Sequence, residues 1–203
     1  MPAVRFCVGE LRYECMRLVV GLGNPGRQYE ATRHNAGFWW LDSIADEFGA
    51  SLSAESRFHG EVGRIRQGGA DCWLLKPMTF MNESGRAVRA LSDFYKLPVS
   101  DMLVVHDEMD LAPGVVKLKK GGGVAGHNGL RDIAAHIGKD FWRLRIGIGR
   151  PADRAQVSNY VLSPPRKEEA GLITESIERS LAVWPQLLAG EFESAMLKLH
   201  TRD

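Results

Sequence analysis

Leu18, Val19 and Val20 run unbroken into Gly21, the pattern of a strand covered on both faces. A turn rich in Gly and Pro follows at 21–26. From Asn35 to Phe48 the apolar positions Phe38, Leu41, Ile44, Ala45 and Phe48 recur at helical spacing. Residues 61–66 and 72–76 read as a hairpin around Gln67-Gly68-Gly69. Helical spacing returns over 82–95, with Ala87, Val88, Leu91 and Phe94–Tyr95 on one face. Met102–His106 is a short apolar strand that ends in a burst of acid, and residues 115–118 suggest another strand. A glycine-rich loop spans 121–129. Residues 130–137 form a short helix, and Arg143–Gly149 alternates as a strand does. Residues 166–188 and 191–200 are expected to be the C-terminal helices. This alternation of strands and helices predicts an α/β domain. No linker, repeat or composition shift divides it.

Composition changes this picture little. With 203 residues, 44% hydrophobic and 25% charged, the chain is of ordinary globular type and long enough to bury about 70% of its unfolded surface. Disorder, collagen and coiled coil are excluded as descriptions of the whole. No apolar run approaches the roughly 18–20 residues that span a bilayer. Cys7, Cys15 and Cys72 are odd in number and show no C-x-x-C spacing, so reduced thiols in a cytosolic protein fit better than disulfides or zinc.

The net charge of +1 is uninformative, but its distribution is not. Between Val115 and Arg150 stand eight Lys and Arg against Asp132 and Asp140, so this segment carries +6 and the remainder −5. A basic segment on a neutral protein suits a polyanion docking at one face, and equally suits solvated surface charge. At the N-terminus, charges interrupt residues 1–15 and no signal peptide can be read there. A strand pattern begins right after Met16. The expected domain is therefore 16–203, with 1–15 a poorly ordered extension preceding the true start.

Gly21-Leu22-Gly23-Asn24-Pro25-Gly26 matches G-x-G-x-x-G, the dinucleotide fingerprint, but the match is weak. The residues after Gly26 are polar and lack helical periodicity, and the acids at the right distance, Asp42 and Asp46, fall on a helical pattern. Thr32-Arg33-His34-Asn35 puts a histidine just ahead of a helix. His106-Asp107-Glu108-Met109-Asp110 closes a strand, where α/β folds place their sites. A carboxylate there can hold an imidazole in one tautomer and stabilise its charged form. Asn24, Asn82 and Asn128 fall at element edges, where each also suits a cap or turn. No G-x-S-x-G elbow and no Walker motif is present. A His–Asp pair with amides and no clear nucleophile favours direct attack by water.

Taken in order, G-L-G-N-P-G-x-x-Y (21–29), T-R-H-N-A-G-F (32–38), P-M-T-F-M-N-E-S-G (77–85), H-D-E-M-D-L (106–111), G-G-G-V-A-G-H-N-G-L (121–130) and R-L-R-I-G-I-G-R-P (143–151) closely resemble the bacterial peptidyl-tRNA hydrolase family. The likeness runs from about Met16 to about His200. It implies a single α/β domain with a mixed, twisted sheet surrounded by helices. It also implies a cytoplasmic monomer without metal or cofactor, acting on peptidyl-tRNA. The expected reaction is hydrolysis of the ester between the peptide and the terminal ribose of tRNA.

By matched position, the resemblance makes His34 the catalytic base and Asp107 the residue that orients it. Asn24 is the position linked to telling N-acylated from free aminoacyl-tRNA. Tyr29, Phe80, Asn82 and Asn128 are implied to contact substrate near the tRNA 3′ end, with Met81 and His127 lining the same crevice. Lys119 and Arg145 match a basic pair that clamps the tRNA 5′-phosphate. Three departures stand out: residues 1–15 have no counterpart, Ala112 stands where Pro is common, and the stretch between Gly138 and Arg143 is short. Two other readings remain open at this point, a His/Asp hydrolase for a smaller ester or amide and a non-catalytic tRNA-binding module.

Overall fold

A computed structural model describes residues 15–124 and 126–201. Most of the expected extension lies outside the described residues. Met16 is buried in the core.

Among the described residues, seven strands form one sheet in the order β2-β3-β4-β1-β5-β7-β6. They are β1 (Leu18–Gly21), β2 (Ser53–Glu55), β3 (Gly60–Gln67), β4 (Ala70–Pro77), β5 (Met102–Glu108), β6 (Val116–Lys120) and β7 (Trp142–Gly147). β4, β1, β5 and β7 run parallel at the centre. Antiparallel β2–β3–β4 and β6–β7 finish the two sides, so the sheet is mixed, as expected. Helices cover both faces. On one side lie α1 (Ala36–Glu47), α5 (Lys167–Leu181), α6 (Trp184–Leu188) and α7 (Phe192–His200); on the other lie α2 (Ser84–Tyr95) and α3 (Asn128–Ile137).

The unbroken apolar run of β1 is explained by this sandwich. Val19 points into the α1 layer and Leu18 and Val20 into the α2–α3 layer, all at zero exposure. β5 repeats the division, with Leu103 and Val105 on one side and Met102 and Val104 on the other.

Several expected boundaries move. The 166–188 helix is two helices, because the chain turns at Ala182–Val183 and Pro185 starts the second one. β7 stops at Gly147 rather than Gly149, and α3 begins two residues early, at Asn128. β2, with three residues, and α4 (Val157–Val161), with five, are too short to show a period.

The first loop also settles the glycine motif. No helix opens inside 21–26; α1 starts only at Ala36, which removes the dinucleotide reading. The glycine that matters here is Gly37. A Cβ on it would lie 2.3 Å from the Val105 carbonyl oxygen and 2.4 Å from the Leu22 nitrogen. Only a bare Cα lets the first turn of α1 sit against the ends of β1 and β5.

Candidate active site

After β1 the chain passes to the α1 layer; after β4 it passes to the α2 layer. The parallel strands therefore leave a crevice beyond their carboxyl ends at this divergence. A cleft of about 550 Å³ occupies it, lined by Asn24, His34, Phe80, Met81, Asn82, Asp107, His127 and Asn128. Eight of the eleven residues expected at the site thus meet around one cavity.

His34 sits in a short turn (Arg33–Asn35) that leads into α1. Its Nδ1 lies 2.9 Å and 3.0 Å from the two carboxylate oxygens of Asp107. Burial disfavours the charged imidazole, but the charge and hydrogen bond of Asp107 outweigh it and raise the His34 pKa above the ordinary value. Burial likewise works against the Asp107 anion, yet His34 and His127 hold its carboxyl well below the usual range. Asp107 is thus an acceptor, His34 donates Nδ1–H to it, and Nε2 keeps a free lone pair.

Asp107 is not past the end of its strand, as the burst of acid suggested. β5 continues through Glu108 with every residue buried. Its two carboxylates are paired, while Nε2 of His106 has no hydrogen-bond partner among the described residues. Asp107 has the imidazoles. Glu108 accepts from Arg145 Nε at 3.0 Å and from the Asp110 N–H at 3.1 Å. His106 donates Nδ1–H to the Asp107 carbonyl at 2.7 Å. Burial, helped by His127, drives the His106 pKa down to about 3, so this ring stays neutral.

His127 was expected to line the crevice. It does so, and it also places Nε2 3.0 Å from Asp107 Oδ1. Its Nδ1 accepts the Leu130 N–H at 3.3 Å, capping α3. A backbone N–H can only donate, so the proton of the neutral ring sits on Nε2. Donor atoms of His34, Asp107 and His127 lie within 4.8 Å of one another. They fit a metal ion poorly, because the His127 nitrogen facing Asp107 carries that proton rather than a free lone pair.

Asn24 is fixed from three directions. Its side-chain oxygen accepts the Met81 N–H at 2.8 Å. Its backbone N–H donates to Asn35 Oδ1 at 2.9 Å, and Asn35 Nδ2 donates back to its carbonyl at 3.0 Å. The amide NH₂ of Asn24 is the end left for a substrate. Asn35 is a residue the sequence reading missed, although its place beside His34 in T-R-H-N was a signal.

Met81 is buried, with its sulfur filling the space beside Gly129. Asn82 and Asn128 are exposed at the starts of the α2 and α3 segments. Asp132 of α3 accepts the Gly85 N–H of α2 at 2.6 Å and ties those two segments together. Tyr29 does not line the cleft itself; it meets Phe80 edge-on at 6.5 Å, and Phe80 is 57% exposed at the rim.

One wall had no sequence signal. α4 brings Val157, Ser158 and Val161 to the cleft, with Leu162 just beyond. Arg33 anchors it from the turn carrying His34. Its Nη1 donates to the Tyr160, Ser163 and Pro164 carbonyls at 3.2, 3.1 and 2.9 Å, and its Nη2 pairs with Glu169 at 2.7 Å.

Neither member of the basic pair lines the cavity, but Arg145 pairs with Glu108, which does. Lys117 stands opposite Arg145 and Lys119 opposite Arg143 across β6 and β7, so all four share one sheet face. Lys119 is exposed. Arg143 turns inward to the Gly121 and Gly123 carbonyls, and Arg145 is oriented by Glu108.

A family model described as Peptidyl-tRNA hydrolase matches residues 18–203. The peptidyl-tRNA hydrolase of Nitrosospira multiformis is 58% identical over 188 residues, 92% of this chain and 98% of that protein. That of Methylobacillus flagellatus is 60% identical over 188 residues, 92% of this chain and 97% of its own length. The crystal structure of peptidyl-tRNA hydrolase from Acinetobacter baumannii superposes with a TM-score of 0.92 at 45% identity, covering 96% of this chain and 99% of that one. With its fold and nearly its whole length shared with these proteins, the chain belongs to the peptidyl-tRNA hydrolase family.

Proposed function

We propose that this protein hydrolyses the ester joining a peptide to the 3′-terminal ribose of tRNA, with His34 as general base. The observation that carries the reading is the His34–Asp107 contact at the floor of the cleft. Asp107 fixes the Nδ1–H tautomer, so Nε2 can take a proton from water. The resulting hydroxide attacks the ester carbonyl. The tetrahedral intermediate collapses, its C–O bond to the ribose breaks, and the ribose oxygen regains a proton from the imidazolium. The products are tRNA with its 3′-hydroxyl and the peptide acid, which gives its remaining proton to solvent and leaves as the carboxylate. General-base assistance of this kind is worth about 10²–10⁴ in rate.

Asn24 presents N–H donors to the cleft. They suit the amide carbonyl of an N-acylated aminoacyl group or the developing oxyanion, and they offer nothing to a free α-ammonium, which is itself a donor. Asn82 and Asn128 add amides at the rim. Tyr29 and Phe80 offer an aromatic edge to the terminal nucleotides. Lys119 and Arg145 supply phosphate contacts that are blind to tRNA sequence. We take the enzyme to work as a monomer in the cytoplasm without metal or cofactor; its odd, unmotifed cysteines support the reducing compartment and speak against a zinc site.

The test compares N-acetyl-aminoacyl-tRNA with free aminoacyl-tRNA, for wild type and His34→Ala. Rapid cleavage of the blocked ester only, abolished by the substitution, is the expected result. Binding of tRNA without turnover by the wild type would return the protein to a binding module.

A further inference from the structure

Asp107 has two imidazole partners, and the reaction as written uses one. Its Oδ1 is shared between His34 Nδ1 at 2.9 Å and His127 Nε2 at 3.0 Å. The two rings lie 4.9 Å apart, tilted by 48°. His127 is itself held at both ends. Its Nδ1 caps α3 through Leu130, its side chain is 7% exposed, and the buried His106 ring packs edge-on at 5.0 Å. No other ring orientation satisfies both the Leu130 N–H and the Asp107 carboxylate.

We propose that His127 is a positioning residue of the reaction, resting on the reading of His34 as base: the N-cap of α3 fixes its tautomer, and its Nε2–H holds the Asp107 carboxylate in register with His34. The bond has two effects. It removes the carboxylate's freedom to rotate away from the base. It also offsets part of the negative charge that His34 experiences. The ionisable groups bordering this arrangement are His34 from the loop after β1, His106, Asp107 and Glu108 from β5, and Arg143 and Arg145 from β7. Of these, Asp107 is the charge acting on His34. Without the His127 bond, Asp107 stabilises the His34 imidazolium more, and less free base is present at a given pH.

Two substitutions separate the cap from the bond to Asp107. His127→Asn retains an oxygen acceptor suited to an N-cap, but its amide is too short to reach Asp107. His127→Gln restores a donor near the position of Nε2. Expected for His127→Asn on N-acetyl-aminoacyl-tRNA is a kcat about tenfold lower at unchanged KM, with the acid limb of the pH profile displaced upward. His127→Gln recovers much of that loss. Histidine ¹⁵N spectra of the wild type should show one ring protonated on Nε2 and bare at Nδ1, and the His34 titration should rise in the Asn variant.

Three results overturn the proposal: a rise in KM alone, which makes His127 a substrate contact; a wild-type pH profile and kcat in His127→Asn, which leaves it only a cap; or a His127 ring protonated on Nδ1. The spectra need no substrate. Full activity in His34→Ala would therefore overturn the base reading while the ring assignment and the His34 titration were still measured.

Discussion

His34 Nδ1 sits between the two carboxylate oxygens of Asp107, 2.9 and 3.0 Å away, although 73 residues separate them in the chain. The contact raises the His34 pKa above its usual value near 6.5. Activity should therefore fall as pH drops through that raised pKa. In Asp107→Asn the anion is gone, so the acid limb should move to lower pH even as kcat falls by roughly 10²–10⁴. A kcat/KM profile whose acid limb stays in place would remove Asp107 as the group acting on the base.

The same contact is linked to stability. Asp107 is depressed in the folded state, so its contribution is present above the unfolded carboxyl value near 3.9 and is lost as pH falls through the folded one. His34 is raised, so its contribution is complete below about 6.5 and is lost as pH rises through its folded pKa. Thermal melts of Asp107→Asn should be flatter than wild type from about pH 6.5 up through the raised His34 pKa, because the imidazole there has lost its anion. An unchanged slope there would count against the linkage.

Asn24 offers only its NH₂ to the cleft, because Met81 takes its oxygen. Asn24→Ala should raise cleavage of free aminoacyl-tRNA relative to the N-acylated ester and lower kcat for the latter by about 10²-fold, the usual cost of one oxyanion donor. Unaltered discrimination would assign that task to Asn82 or Asn128.

Lys119→Ala combined with Arg145→Ala should raise KM and flatten its dependence on salt, since each lost phosphate contact removes about 0.7–0.9 from the log–log slope. Removing Arg145 also leaves Glu108 buried without its ion-pair partner, so Glu108→Gln in the same background is the control for fold. An unchanged slope would remove the pair from the tRNA interface.

Gly37→Ala should destabilise the chain by at least about 2 kcal/mol, because the new methyl meets backbone atoms that cannot swing aside. Denaturant unfolding measures this directly. A variant of wild-type stability would mean that α1 can lift from β5 without cost.

Most elements were legible because they are long enough to repeat. α1 and α2 show several apolar positions at a fixed period, β1 is an unbroken apolar run, and the 60–77 hairpin is marked by the glycines of its turn. The failures were local in cause. β2 and α4 are too short for a period, and 166–188 kept its apolar pattern across the break at Ala182–Val183. The acids of β5 read as the end of the strand because partners that make them burial-compatible, His34 and Arg145, lie far away in sequence.

Residue order along the chain marked out the α/β class, the basic segment, and His34, Asp107 and the three asparagines as candidates, because periodicity and motif order are properties of neighbours along the chain. It took the folded chain to show that His34 and His127 share one carboxylate, that Asn35 and Met81 orient Asn24, that Glu108 aims Arg145, and that Arg33 pins α4 as a wall of the cleft. Each of these joins groups brought together by sheet order and helix packing. A proton's position on a ring nitrogen, or the free end of an amide, is set by whichever group closes that gap in space.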